Sequence, residues 1–131
     1  MKLLTVGDSF TYGEELENKT LAWPSVLSNR LGWHLTNMAK PGSGNTRMIR
    51  HIIEQLDNFD IVIIAWSHFA RIELADEKSF YDLWPGCDGR IHNNTAPRRS
   101  KVIDYITKHH NDDYLYRQYL INIILIQNYL K

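Results

Sequence analysis

A serine hydroxyl becomes a useful nucleophile only where the fold exposes it near a proton acceptor and backbone N–H donors. The stretch Gly7-Asp8-Ser9-Phe10-Thr11-Tyr12-Gly13 offers such a hydroxyl. It follows directly on the apolar run at residues 3–6. A short apolar run stopped by Gly-Asp-Ser reads as a buried strand that ends in a tight turn. Two further segments carry polar groups of the same kind. One is Pro41-Gly42-Ser43-Gly44-Asn45-Thr46; the other runs over 67–71 and begins Ser67-His68. Asp8, Gly44, Asn45 and Ser67 are the candidates for contact with a substrate.

The elements that position these segments are read from apolar spacing and from turn formers. A helix is expected over Trp23–Leu31, with Pro24 in its first turn and Gly32 as its stop. Residues 33–38 read as a second strand. The loop at 41–46 leads into a helix whose apolar positions are Met48, Ile49, Ile52, Ile53 and Leu56. Residues 61–66, Ile-Val-Ile-Ile-Ala-Trp, are apolar on both faces, as suits a central strand of a parallel sheet. Strand, helix, strand, helix, strand in this order predicts an α/β fold of three layers, with a parallel sheet between helices. In open sheets of this kind ligands bind beyond the C-terminal strand ends. All three polar segments are expected there.

Beyond residue 67 the pattern weakens. Residues 80–99 contain Pro85-Gly86, Asp88-Gly89 and Pro97, and read as loop. A short helix is expected over 101–109. A last helix runs to about residue 130, with Asp112 and Asp113 at its start, where negative charge is favourable.

Composition narrows the function. The chain has 131 residues, enough for one domain with one core, and neither a repeat nor a linker divides it. Fifteen basic and fifteen acidic residues cancel, which argues against non-specific nucleic-acid binding. The single cysteine, Cys87, excludes an internal disulfide and a cysteine zinc site, and its loop gives it no activating partner. His109-His110-Asn111-Asp112-Asp113 reads as a solvated helix start rather than a metal site, so no metal is expected there. The apolar stretch at 114–130 is interrupted by Arg117, Gln118, Asn122, Gln127 and Asn128, and the N-terminal run is too short for a signal peptide. A cytoplasmic location without membrane association is the expectation.

Gly7-Asp8-Ser9-Phe10-Thr11-Tyr12-Gly13 resembles the first sequence block of the SGNH, or GDSL, hydrolases. Asn37-Met38-Ala39-Lys40-Pro41-Gly42 is similar to their second block, and the strand at 61–66 lies where the third block's strand belongs. The resemblance covers about the first half of the chain. As a whole the sequence looks most like the members encoded by tailed bacteriophages, which would place it in the host cytoplasm. The resemblance implies a flavodoxin-like, SGNH-type fold. It implies Ser9 as nucleophile toward an ester or other acyl carbonyl, a carbohydrate ester included. The backbone N–H groups of Ser9 and Gly42 would serve the developing oxyanion, with Gly44 as an alternative donor. It implies no cofactor.

The chain departs from the family in two places. Where the family's third block has Gly-x-Asn, this sequence reads Ala65-Trp66-Ser67-His68, leaving Ser67 or His68 to replace the oxyanion Asn. The Asp-x-x-His that supplies the general base does not occur downstream of residue 68. The expectation is therefore a single domain over 1–131, shortened at its C-terminus as a fragment or a degenerate copy. His68 is the candidate replacement base, because the first and third strands of a flavodoxin-like sheet are neighbours. An esterase or acylhydrolase leads, inactive if no base is supplied. A non-catalytic binding or interaction module with the same fold comes second. A flavodoxin-like phosphate or flavin binder is third, since Glu14 and Glu15 would repel a phosphate. Arg47 and Arg50 read as the polar face of their helix, and Arg71 and Glu73 as a surface pair. The stripe at 121–126 is either core or an exposed apolar patch through which copies associate.

Overall fold

A computed structural model describes residues 1–75, 80–83, 108 and 111–131. The loop holding Cys87 and nearly all of the expected helix at 101–109 fall outside them. Strand β1 (Lys2–Val6) lies between β2 (His34–Asn37) and β3 (Ile61–Ile64), and both neighbours run parallel to it. Leu3, Leu4, Thr5 and Val6 are all buried, so β1 is the centre of this sheet. The Ile-Val-Ile-Ile run, expected at the centre, has β1 as its one neighbour among the described residues and is half-buried along its length. Apolar composition shows that a strand is covered, but it does not say by how many neighbours.

Helices supply the other layers of a mixed α/β architecture. Ser9–Tyr12 is a single turn, α1; Trp23–Leu31 is α2; Asn45–Gln55 is α3; and Asp112–Tyr129 is α4. Helix α3 drives Met48 and Ile52 into a cluster with Leu4 and Val6 of β1 and Ile126 of α4. Burying side chains of this size contributes ~1.5–3 kcal/mol each. Ile53, expected on the same face, is 52% exposed. The apolar stripe of α3 is therefore narrower than its spacing suggests.

Helix α4 begins at Asn111, whose side chain accepts a hydrogen bond from the Tyr114 N–H. Only Ile126 of this helix is fully buried, while Ile121, Ile124 and Leu125 are exposed. The stripe at 121–126 is thus mostly surface. Among the described residues no helix is long and apolar enough to cross a membrane.

A hairpin of β4 (Ile72–Ala75) and β5 (Phe80–Leu83) stands where loop was expected from residue 80. Charged residues dock it on α3. Arg50 donates to both carboxylate oxygens of Glu73 at 2.8 and 2.9 Å and lies over the Phe80 ring. Arg47 approaches Glu73 and Asp82 at 3.4 and 3.5 Å. The polar face of α3 is therefore an interior seam rather than a solvated one. Arg71 and Glu73 do not pair with each other; Arg71 reaches Asp8 instead.

The same seam makes stability sensitive to acid. His51 has a buried Nδ1 that makes no hydrogen bond and lies 3.5 Å from Glu54. Burial, then the positive charges of Arg47 and Arg50, push its pKa below the ordinary 6.5, and Glu54 and Glu73 oppose this only weakly. Between the lowered value and 6.5 the unfolded chain binds a proton that the folded chain refuses, so stability rises with pH across that window. Urea midpoints are expected to fall as the pH is lowered from ~7 to ~5.5, and to fall less in His51→Gln.

Candidate functional site

The three polar segments meet at the C-terminal ends of the strands, and side chains tie them together. In the first segment Asp8 caps α1 and accepts from the Phe10 N–H, a bond within its own turn. Its other oxygen accepts from the Ser67 hydroxyl at 3.0 Å and from Arg71 at 3.2 Å. Asn37, at the end of β2, accepts from the Thr5 hydroxyl and the Ala39 N–H and donates to the Thr11 carbonyl. The first segment is thereby fixed to the second strand as well as to the third segment.

Ser9 takes the first helical position of α1, directly after the cap. It is half-buried, and its hydroxyl has no hydrogen-bond partner among the described residues. It lines a pocket of about 230 Å³ together with Phe10, Gly13, Glu14, Glu15 and Leu16. Lys19 braces the wall from behind, donating to the carbonyls of Gly13, Glu14 and Leu16 at 2.7, 3.2 and 3.0 Å. Neither Gly42 nor His68 lines this pocket.

The second segment opens with a reverse turn, Lys40-Pro41-Gly42-Ser43, closed by a bond from the Ser43 N–H to the Lys40 carbonyl. Pro at the second position and Gly at φ +75° in the third mark it as type II. The Gly42 N–H belongs to the central peptide of the turn, which lies outside the closing bond, and none of the described hydrogen bonds uses it. It is an available donor. The Lys40 N–H donates to the Gly7 carbonyl at 3.2 Å, which fixes this turn beside the one holding Ser9.

Gly44, the alternative donor, is committed elsewhere. Its N–H donates to Asp82 at 2.9 Å, and a Cβ there would lie 2.7 Å from the backbone of Ile72. Asn45 is buried, with its side chain bound wholly to the third segment. It donates to the carbonyls of Ser67 and His68 and accepts from the Ser67 N–H. Ser67 accordingly has both of its donors engaged, the hydroxyl by Asp8 and the amide by Asn45. Asp8, Gly44, Asn45 and Ser67, the candidates for substrate contact, are placed by the structure as the joints between segments.

His68 is exposed, and its ring stacks at a tilt on Phe69 with centroids 4.3 Å apart. Its Nδ1 accepts from the Ala70 N–H. A neutral imidazole that accepts at Nδ1 carries its proton on Nε2, so neither nitrogen is free to take a proton from a serine while that bond holds. Among the described residues no hydrogen bond links His68 to Ser9.

Sequence reasoning missed Asp82 at this site, and it placed Arg71 in the third segment but paired it with Glu73 rather than with Asp8. Asp82 is distant in sequence from the glycine it binds, and no local pattern marks it. The alternation of Arg71-Ile72-Glu73-Leu74 is a weak strand signal that could have located β4. Among the described residues no three His, Cys, Asp or Glu side chains are grouped to hold a metal ion. No family model matches this chain, and neither a curated protein nor a solved structure is detectably similar to it.

Proposed function

We propose that this chain is an acyl-ester hydrolase of the SGNH type, built on a three-layer flavodoxin-like fold with Ser9 as the nucleophile. The observation that carries the reading is the Ser9 hydroxyl itself. Among the described residues it is unpartnered, and it sits at the end of the central strand and lines a pocket of substrate size. The attack joins Ser9 Oγ to the acyl carbon and passes the hydroxyl proton to a base. The amides of Ser9 and Gly42 are the donors that would stabilise the negative oxygen formed. His68 can act as the base only by giving up the Ala70 bond, which frees Nδ1 to take the proton or to carry it while Nε2 does so.

A fluorophosphonate probe tests this directly. It is expected to label the protein once, on the tryptic peptide containing Ser9. Absence of labelling under conditions that modify a known serine esterase would overturn the proposal. If His68→Ala leaves the labelling rate unchanged, His68 is removed as the base.

The lining of the pocket also sets substrate charge. Glu14 and Glu15 contribute two carboxylates, and among the described residues no basic side chain lines it. At low salt a neutral acetyl ester is expected to be hydrolysed about 5–10 times more efficiently than the matched succinyl ester, with the gap closing as salt screens the wall. Paired kcat/KM values for the two nitrophenyl esters check this. The same carboxylates disfavour a phosphate or flavin at this loop.

One observation favours a second reading. Among the described residues no imidazole is bonded to Ser9, and the pocket therefore also suits a module that binds an acyl compound without cleaving it. Such a module would bind an ester or its acid yet resist the phosphonate.

A further inference from the structure

Asp82 lies on β5, outside the parallel sheet and outside the three polar segments, yet its carboxylate is buried, with the side chain only 5% exposed. Its oxygens hold two points of one loop. Oδ1 accepts from the Gly44 N–H at 2.9 Å, and Oδ2 meets the Lys40 ammonium at 3.4 Å. Lys40 opens the type II turn and Gly44 follows it, so one carboxylate joins the two sides of the turn whose central amide is Gly42. The position of Asp82 is itself fixed. Arg47 lies 3.5 Å away, and Glu73, on the paired strand, is bound to Arg50 of α3. On the far side, the absence of a Cβ at Gly44 lets the loop press against the backbone of Ile72.

A turn with Gly at its third position is soft, because glycine accepts many backbone angles. An N–H group stabilises an oxyanion only if its direction is set before the reaction. Something outside the turn has to hold it, and Asp82 is the group in contact with both of its sides.

We infer that Asp82 is a positioning residue for the Gly42 amide, and that the β4–β5 hairpin thereby orients the oxyanion donor of the site, an inference resting on the acyl-hydrolase reading above. Asp82 touches no reacting atom. It acts through the turn, so its loss should slow the chemical step while leaving substrate capture in the Ser9 pocket intact.

The test combines amide NMR with phosphonate kinetics on the full chain. In Asp82→Ala the Gly44 amide should exchange with solvent at least 10 times faster and the Gly42 resonance should shift, while those of α2 stay in place. The maximal labelling rate at Ser9 should fall at least 10-fold with the half-saturating probe concentration unchanged. Asp82→Asn, which keeps an oxygen for the shorter Gly44 bond, should recover most of both losses. A wild-type labelling rate in Asp82→Ala with an unmoved Gly42 resonance would overturn the inference, as would equal losses in the two variants. Should Asp82→Ala not fold, Lys40→Met removes only the exposed arm, and an unmoved Gly42 resonance there is equally fatal. If the wild-type protein takes no label, the hydrolase reading fails by itself, and the Gly42 resonance alone then decides whether Asp82 holds the turn.

Discussion

Replacing Asn45 by alanine is expected to lower the unfolding free energy by about 3 kcal/mol, a large share of the total for a domain of this size. Asn45 is 3% exposed, and its side-chain amide makes three hydrogen bonds, all to the backbone of the third segment. Truncation leaves the Ser67 N–H and the Ser67 carbonyl without partners near the protein interior, while the His68 carbonyl keeps its bond from the Arg71 N–H. Each group stranded in this way costs ~1–3 kcal/mol, offset in part by water entering the gap. For a chain of this length the loss corresponds to roughly 10 °C in Tm. Thermal and urea unfolding of the variant measure it. A drop of less than ~1 kcal/mol would show that the segment is held by other bonds.

The second large effect is chemical. Ser9→Ala is expected to reduce kcat/KM for a neutral ester by at least ~10³-fold, equivalent to ~4 kcal/mol of transition-state stabilisation. Stability should stay within ~0.5 kcal/mol of the parent, because the hydroxyl removed makes no hydrogen bond among the described residues. Ester kinetics and thermal melts on the same preparation separate the two effects. A melt that moves with the rate would mean that Ser9 is a structural member of its turn. A rate that does not move would leave the second reading, a binding module, as the better account.

Much of this arrangement is legible in the residues themselves. The strand at 3–6, the limits Trp23–Leu31 of α2 and the start of α4 are written in local chemistry: an apolar run, a first-turn proline, a glycine stop and first-turn aspartates. The meeting of three polar segments at one end of the sheet follows from strand–helix alternation alone. Pairings between distant segments are not legible. Nothing near Asp82 announces a bond to Gly44, and nothing near Arg71 announces Asp8 in place of its near neighbour Glu73. The hairpin is hard to see because each strand is four residues long, too short for alternation to stand out. The order of burial within the sheet is hidden for a related reason. β3 is the more apolar of the two, yet among the described residues it is β1 that has a neighbour on both sides. The same limit applies to Asn45. A polar residue at the entrance to a helix reads equally well as a substrate contact or as an internal clamp, and burial decides between them.

The parallel sheet also fixes the order in which the protein can be assembled. The Lys2 N–H bonds to Asp60, 58 residues along the chain, and β1 takes its two flanks from β2 and then β3. At ~5–20 residues per second of synthesis, the innermost strand waits roughly 3–12 s for its second neighbour. Until then one edge of Leu3, Leu4 and Val6 stays open to other nascent chains, so yield during expression should depend on translation speed and chaperone supply more than on the stability of the finished fold.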